Sequence, residues 1–355
     1  MHHWQLAYLG RHTFPTEVTD FELQQVFTFD GGELEDIGES QFVTGCVSWS
    51  IASVGPQCAG MSMSWTGIAM LATLASSPDD QPFVDGICSA DAGQKRRNTM
   101  SRIFISGSST GLGMMAAKLL DSQGHKVVLH ARSDARASDA HRELPRAKAI
   151  VTGDIETIAG AREVAAKVNA LGRFDAVMHN AAVGYREGHR VTADGLPHVF
   201  AINTLSAYIL TALIERPKRL VYLSSGMHHH ADANLDDILW KKRRWNGSTA
   251  YAESKLHDAM LAFAIARRWP EVFSNSLEPG WVPTKMGGAA APDDMKQAHL
   301  TQAWLAAGDD PKADVTGEYF YHLKRMSPNP QAHDPFLQDR LIEICADISS
   351  VALPA

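Results

Sequence analysis

From residue 101 onward, short apolar runs alternate with segments of helical periodicity. Apolar runs at 102–106, 126–131, 175–181, 219–225, 273–280 and 317–322 predict strands, and apolar residues at helical spacing predict helices at 111–124, 156–172, 198–214 and 251–269. The strand segments are apolar throughout instead of alternating with polar residues, which is typical of a parallel sheet covered on both faces. The pattern therefore predicts an α/β fold in a single domain, with a doubly wound parallel sheet and helices on both faces.

Residues 1–99 lack this pattern. One helix is conceivable at 16–29, but after about residue 38 the segment is rich in Ser, Gly, Cys and Met and shows no sustained periodicity. It carries four Lys and Arg against twelve Asp and Glu, so the whole net charge of -7 originates there, since the rest of the chain holds 29 Lys and Arg against 28 Asp and Glu. We interpret 1–99 as a poorly structured N-terminal extension or a start-site artefact, and 100–355 as the working domain. Neither part has the basic surface that nucleic-acid binding needs.

Membrane, secretion and metal signals are weak along the whole chain. The most apolar stretch, 58–75, is interrupted by Ser, Thr and Gly, and the N-terminus lacks a secretion signal. We therefore predict a cytoplasmic protein with no membrane partner. The four cysteines show no C-x-x-C spacing, and the consecutive His228, His229 and His230 point in different directions, so no metal site is predicted.

A glycine turn follows the first strand. Gly107, Gly111 and Gly113 are spaced G-x-x-x-G-x-G before a helix, which allows a tight turn and leaves helix N–H groups for a pyrophosphate. This is typical of a Rossmann-type dinucleotide-binding domain. The next strand is followed by Arg132 and Ser133 where NAD-specific domains place an acidic residue. Arg132 suits a 2′-phosphate, so NADP(H) is preferred and NAD(H) is the alternative, unless Arg132 is only a solvated surface residue.

An acid–base pair is suggested by "YAESK". Tyr251 and Lys255 stand at i and i+4 on one helix face. A nearby ammonium favours the phenolate form of a tyrosine, so such a pair can exchange a proton with a carbonyl or alcohol oxygen. Ser225 ends the fourth predicted strand and Asn203 lies in the preceding helix. Ligands bind beyond the carboxyl ends of strands in open α/β sheets, so these groups are expected to meet there.

These elements occur in the order typical of short-chain dehydrogenase/reductases, and residues 100–355 resemble that family. The resemblance rests on the glycine turn, "GDI" (153–155), "HNAA" (179–182), Asn203, the Ser–Ser strand end, "YAESK" and "PGWVPT" (279–284). It implies that Tyr251 is the general acid/base and that Lys255 assists it while binding the nicotinamide ribose. Ser225 would hold the substrate oxygen, and Asn203 would support a water-linked proton path.

The resemblance also implies a set of cofactor contacts. Asp154 and Ile155 would border the adenine, Asn180 would help to hold the cofactor, and Val282 and Thr284 would contact the carboxamide. The full expected set is Gly107, Ser109, Thr110, Gly111, Leu112, Gly113, Arg132, Ser133, Asp154, Ile155, Asn180, Ala181, Ala182, Tyr251, Lys255, Pro279, Gly280, Val282 and Thr284.

Two features depart from the common family pattern. Ala182 replaces the usual glycine of "NNAG", and Ser225 lies 26 positions before Tyr251, about twice the common spacing. The insertion at 226–250 resembles the retinol-dehydrogenase-like branch and would line the substrate site, where one of its histidines could contact substrate. The family also implies a lid at about 286–310, although core packing explains its apolar residues equally well.

The chain is accordingly predicted to be an NADP(H)-preferring oxidoreductase. It would transfer a hydride between nicotinamide and a carbonyl/alcohol carbon of a small, apolar substrate. The alternative is a non-catalytic dinucleotide-binding redox sensor or regulator, against which the intact Tyr/Lys pair counts. Family members often pair through the helices carrying Asn203 and Tyr251, so a homodimer is an expectation. Residues 8–37 resemble the N-terminus of replicative-transposon transposases, from which we infer that the working protein begins at Met100.

Overall fold

The structure is a computed structural model that describes residues 100–355 and, upstream, only the backbone of residues 28–29 and 32–33. The chain divides after residue 93 into two units. The described part of the first is an antiparallel pair of two-residue strands, Thr28–Phe29 with Gly32–Glu33. The predictions for the remainder of 1–99, including the transposase-like segment and the apolar stretch at 58–75, lie outside the described residues.

An eight-stranded sheet runs through the second unit. Its strands are β1 Arg102–Ile105, β2 Lys126–Ala131, β3 Ala149–Thr152, β4 Ala176–His179, β5 Arg219–Leu223, β6 Phe273–Glu278, β7 Tyr319–Tyr321 and β8 Lys324–Met326. They lie in the order β3-β2-β1-β4-β5-β6-β7-β8. All neighbours are parallel except β7 and β8. The strand order reverses between β1 and β4, which is where ligands bind in such sheets.

Helices cover both faces of the sheet. They are α1 Gly111–Ser122, α2 Asp134–Glu143, α3 Ile158–Ala170, α4 Ser206–Leu213, α5 Gly247–Arg268, α6 Leu300–Ala307 and α7 Pro335–Ser349. Within β1, Phe104 packs into the core on the side of α3, α4, α5 and α7. Its neighbours Ile103 and Ile105 pack into the opposite core with α1 and α6. Both faces of the strand are therefore buried, and the predicted doubly wound Rossmann-type domain is confirmed.

Several elements were not among the sequence predictions. They are β3, β8, α2, α6 and α7. The helix predicted at 198–214 begins as a π-helical turn, Phe200–Leu205, before α4. Helix α6 lies inside the proposed lid, yet six of its eight residues are buried against the core. That part of 286–310 is a core helix, which leaves 286–299 as the segment where a lid remains a prediction.

The helix that carries Tyr251 and Lys255 is enclosed by the chain itself. From residue 250 to 265 every residue of α5 except Ala252 is buried. Helix α7 packs along α5, and the 3₁₀ turn Gly226–His230 packs against it as well. Helix α4 is buried from residue 206 to 212, with the Tyr208 hydroxyl donating to the Val351 carbonyl at 2.7 Å. The helix faces expected to form a homodimer are thus covered within one chain.

Candidate active site

The turn between β1 and α1 is shaped to receive an anion. Gly107 and Gly111 have φ values of 61° and 63°, in the left-handed region that favours glycine. A Cβ on Gly107 would lie 2.6 Å from the Cα of Ala181, whereas no atom lies within 4 Å of the Cβ position at Gly111. Thr110, the N-cap of α1, makes no side-chain capping hydrogen bond. The start of α1 therefore combines open space with helix N–H groups, which suits a pyrophosphate.

Asn180 fixes this turn to the end of β4. Its Nδ2 donates to the carbonyl oxygens of Ser106 and Gly107 at 3.1 and 3.0 Å. Ser106 Oγ in turn accepts from the backbone N–H groups of Asn180 and Ala181. Within residues 100–355 the buried Oδ1 of Asn180 has no hydrogen-bond partner. A buried acceptor beside an open glycine turn fits a cofactor that brings its own donor.

The residues that follow β2 and β3 lie at the same carboxyl edge of the sheet as the glycine turn. Arg132 follows β2 directly and is exposed, while the Ser133 hydroxyl accepts from the Arg136 N–H at 3.4 Å and caps α2. Asp154 is exposed after β3, and Ile155 belongs to the core. The structure therefore brings Arg132 and Asp154 to the edge that carries the glycine turn, whereas the side chain of Ile155 serves packing.

His130, which the sequence reading missed, joins these two loops. Its Nδ1 accepts from the Gly107 N–H at 3.0 Å, and its Nε2 donates to the Gly153 carbonyl at 2.9 Å. Its backbone N–H donates to Ser108 Oγ at 2.9 Å. Burial lowers the pKa of His130, although the Gly153 hydrogen bond and Asp154 act in the other direction. The neutral ring therefore holds the glycine turn against the loop after β3.

Tyr251 and Lys255 lie together on the buried face of α5. Their exposed fractions are 7% and 3%. Lys255 Nζ is 5.7 Å from the Tyr251 ring centroid and donates to the Leu223 carbonyl at 2.7 Å. Nζ also donates to Asp258 Oδ2 at 2.8 Å, a contact that the motif did not reveal. Burial lowers the pKa of Lys255, but the charges of Asp258 and Tyr251 outweigh it and the net pKa is raised.

The two serines at the end of β5 have different surroundings. Ser224 is 3% exposed and its Oγ donates to the Lys255 carbonyl at 2.7 Å. Ser225 is only partly buried, and its Oγ accepts from the Met227 N–H at a longer 3.4 Å. Ser224 therefore ties the strand to α5, while the Ser225 hydroxyl keeps its proton for another acceptor. This separates the structural serine from the one expected to hold substrate.

Asn203 lies in the π-helical turn, a distortion often found at functional sites. It is 1% exposed, and its Oδ1 accepts from the Val183 N–H at 2.8 Å. Its Nδ2 donates to the Val183 carbonyl at 3.1 Å and to Ser254 Oγ at 2.9 Å. Ser254 Oγ donates in turn to the Tyr251 carbonyl at 2.7 Å. The amide thus links the segment after β4 to the helix of Tyr251.

The segment after β6 forms the facing wall. Gly280 has φ 84°, and a Cβ there would lie 2.6 Å from Asp293 Oδ2. Val282 is buried, and Thr284 Oγ1 accepts from the Gly287 N–H at 3.1 Å. Tyr185, which was not predicted, packs edge-to-face on Tyr251 with ring centroids 6.2 Å apart. The Tyr185 hydroxyl donates to the Gly287 carbonyl at 3.4 Å, so Tyr185 joins this wall to Tyr251.

Of the unusual histidines, His179 and His228 are buried and hydrogen-bonded within the chain, whereas substrate contact by His229 or His230 stays a prediction. His179, in the "HNAA" segment, is buried, bonds Thr211 Oγ1 at 2.9 Å, and has its pKa lowered to about 3 by burial. His228 is buried; its Nδ1 donates to the Ser225 carbonyl at 2.8 Å and its Nε2 accepts from the Asn329 N–H at 3.1 Å. His229 lies 3.7 Å from Glu278. Residues 100–355 contain no cluster of His, Cys, Asp and Glu arranged to hold a metal ion.

Comparisons with known proteins identify relatives of this chain. The family model described as enoyl-(acyl carrier protein) reductase matches residues 107–319. An uncharacterized oxidoreductase of Emericella nidulans is 42% identical over 72% of this chain and 99% of its own length. The short-chain dehydrogenase chyC of Penicillium rubens is 38% identical over 72% of this chain and its full length. Human retinol dehydrogenase 13 is 28% identical over 71% of this chain and 86% of its own length.

Solved structures show the same fold. An uncharacterized protein from Mycobacterium paratuberculosis superposes with a TM-score of 0.63 at 20% identity, over 73% of this chain and 97% of its own. Blue fluorescent protein from a metagenomic library, solved in complex with NADPH, superposes with a TM-score of 0.51 at 20% identity, over 62% of this chain and 95% of its own. Among residues 100–355 no helix has the length and apolar character needed to cross a membrane. On the matched family model and these relatives, the chain belongs to the short-chain dehydrogenase/reductase family of oxidoreductases.

Proposed function

We propose that the protein is an NADP(H)-preferring oxidoreductase in which Tyr251 is the general acid/base for a carbonyl/alcohol carbon. The observation that carries the proposal is the buried Tyr251–Lys255 pair, which a hydrogen bond from Lys255 Nζ to the Leu223 carbonyl ties to β5, two residues before the partly exposed Ser225. The glycine turn opens at the same edge of the sheet. The sensor alternative is not favoured, because a protein that only binds a dinucleotide has no use for a buried acid–base pair.

The reduction can be written from the residues of the chain. A bound nicotinamide dinucleotide supplies the hydride that the carbonyl carbon gains. Ser225 donates a hydrogen bond to the carbonyl oxygen and so fixes its position. Tyr251 donates its hydroxyl proton to that oxygen, which becomes the alcohol, and the Lys255 cation stabilises the phenolate that is left. In the oxidative direction Tyr251 takes the proton back.

Cofactor preference is assigned to Arg132. It is the exposed cation that follows β2, the strand next to the glycine turn, and no acidic side chain takes its place. A guanidinium makes charge-assisted hydrogen bonds to a phosphate, which a ribose hydroxyl cannot match. NADPH in the blue fluorescent protein, which shares the fold, is in keeping with this preference.

The substrate is proposed to be small and apolar. Trp281 is 54% exposed on the wall after β6, and Tyr185 contacts the Tyr251 ring. Met286 packs closely on Gly184, because a Cβ added to Gly184 would lie only 2.6 Å from Met286 Cγ. Aromatic and thioether groups around an acid–base tyrosine favour an apolar carbonyl compound over a charged one.

The test is turnover of a panel of apolar ketones and aldehydes with NADPH, followed by nicotinamide absorbance. We expect Tyr251→Phe to reduce kcat by at least about 100-fold, the lower range for a general acid, while NADPH binding is retained. Tyr208→Phe removes a buried hydroxyl that bonds the Val351 carbonyl and is the matched control. Turnover by Tyr251→Phe at the wild-type rate would refute the assignment. Tight NADPH binding without turnover on any substrate would favour the sensor.

A further inference from the structure

Asp258 is a buried carboxylate with no role in the reaction written above. It lies one helical turn after Lys255 on α5 and is 3% exposed. Its Oδ2 accepts a hydrogen bond from Lys255 Nζ at 2.8 Å, and the same ammonium donates to the Leu223 carbonyl at 2.7 Å. Asp258 therefore supplies one of the two acceptors that hold the ammonium near Tyr251.

We propose that Asp258 is a positioning residue of the acid–base pair. Its carboxylate fixes the Lys255 ammonium and offsets part of its charge, and thereby sets the pH range over which Tyr251 exchanges its proton. This inference rests on the proposed function of Tyr251 and Lys255. It differs from that function because Asp258 is buried and would act only through its hydrogen bond with Lys255.

Burial makes this partnership necessary. An ammonium removed from water without a counter-ion loses its proton readily. Burial does lower the pKa of Lys255, and Asp258 and Tyr251 together raise it above the ordinary value. Burial raises the pKa of Asp258 to about 6, although Lys255 opposes the rise. At neutral pH the pair therefore stands as an ammonium and a carboxylate.

Other titratable groups face the same region. Tyr222 of β5 and Tyr319 of β7 both have their pKa raised by burial, so they stay protonated through the neutral range. On the 3₁₀ turn, burial lowers the pKa of His228 to about 4, so this ring stays neutral. Burial raises the pKa of Glu278, which faces Tyr319, to about 6. Glu278 is therefore the group whose titration must be kept apart from that of Asp258.

Removing the negative charge of Asp258 should lower the pKa values of the groups around it. Without it, loss of a proton becomes easier for every neighbouring group, so Tyr251 and Lys255 both change in the same sense. For alcohol oxidation, the rate should rise with pH as Tyr251 loses its proton and fall at higher pH as Lys255 loses its own. Asp258→Asn should move both limbs to lower pH by about one unit. Glu278 is present in both proteins and cannot produce the difference.

The decisive experiment is a tyrosinate absorbance titration of four proteins: wild type, Asp258→Asn, Tyr251→Phe and the double variant. The difference between each pair with and without Tyr251 reports the ionisation of Tyr251 alone. We expect its midpoint to fall by about one pH unit in the Asp258→Asn background. An unchanged or higher midpoint would overturn the proposal. Because no substrate is needed, the result stands whether or not turnover has been found.

Two further variants separate charge from structure. Asp258→Glu keeps the charge, so its Tyr251 midpoint should stay near that of the wild type even though the longer side chain costs stability. Glu253→Gln removes another carboxylate of α5, 2% exposed and paired with Arg243. It should lower the melting temperature and leave the Tyr251 midpoint unchanged. An equal shift in Glu253→Gln would mean that Asp258 has no special role.

Failure of this inference and failure of the proposed function can be told apart. A wild-type enzyme that reduces ketones while Asp258→Asn shows no titration shift retains the function and loses the inference. A titration shift in a protein that turns over no carbonyl or alcohol keeps the electrostatic link and loses the function.

Discussion

His130 Nδ1 lies 3.0 Å from the backbone nitrogen of Gly107 and accepts its hydrogen bond. The ring is buried, and burial lowers its pKa. A lowered folded-state pKa means that stability is fully present above the unfolded value, about 6.5, and is lost as the pH falls below it. Protonation would also place a donor against the Gly107 N–H. The glycine turn therefore depends on a neutral His130 ring.

We expect His130→Ala to weaken NADPH binding by roughly tenfold, because the turn loses an acceptor worth about 1 kcal/mol or more. The melting temperature of the wild type should fall as the pH drops from about 7 to 5, and the fall should be smaller in the variant. Fluorescence titration with NADPH and thermal melts measure both. Equal NADPH affinity in the two proteins would contradict the role given to His130.

Arg132→Ala tests cofactor selection. A charge-assisted contact to the 2′-phosphate contributes about 1.5–3 kcal/mol, so NADPH affinity should fall by roughly 10–100-fold while NADH affinity changes little. Arg136→Ala, on the exposed side of α2 near Asp139, is the control and should leave both affinities unchanged. Isothermal titration with the two cofactors decides the matter. Equal losses of affinity for NADPH and NADH would contradict the proposed contact between Arg132 and the 2′-phosphate.

Gly113→Ala tests the close approach within the turn. The added Cβ would lie 2.5 Å from Asn180 Nδ2 and 2.9 Å from the Gly107 carbonyl oxygen. The Asn180 side chain and its hydrogen bonds to the turn must shift. We therefore expect NADPH affinity to fall at least about tenfold and the free energy of unfolding to fall by about 1–3 kcal/mol. At Gly188 a Cβ meets no atom within 4 Å, and Gly188→Ala should bind NADPH like the wild type. Binding isotherms with NADPH and urea unfolding curves of the two variants measure the affinity and the stability.

Leu341→Ala tests the cover that α7 forms over α5. Leu341 is fully buried in the core, and its truncation should cost about 2–5 kcal/mol of unfolding free energy. Phe336 lies on the same helix but is 72% exposed, so Phe336→Ala should change stability by less than about 0.5 kcal/mol. Urea unfolding followed by circular dichroism gives both values. Similar costs for the two variants would mean that α7 does not pack as described.

The sequence predicted most of the sheet because β1, β2, β4, β5 and β6 are buried on both faces and therefore read as apolar runs. Strand β8 is an exposed edge strand, and α2 buries only Ala140, so neither has an apolar face to detect. Helix α7 was missed although it is amphipathic. The π-helical turn around Asn203 likewise leaves no mark in the periodicity of the sequence.

The site was predicted where a local motif exists. Tyr251, Lys255 and the glycine turn are set by spacing within a few residues, so the chain alone indicates them. Asp258 and His130 act through contacts that depend on packing, and neither stands out among the other acidic residues and histidines. Tyr185 meets Tyr251 across 66 positions of sequence. Such pairings become visible only when the strands and helices are brought together.

Strand β5 and helix α5 are joined by two hydrogen bonds, Lys255 Nζ to the Leu223 carbonyl and Ser224 Oγ to the Lys255 carbonyl. Separating them would leave a buried ammonium short of an acceptor, which is costly. Ser225, which follows Ser224, and Tyr251 are thus carried by two elements that cannot separate without this cost. On the proposed function, we therefore expect any change in the width of the cleft to come from the segments 183–190 and 281–299, and substrate entry and product release to depend on them and not on α5.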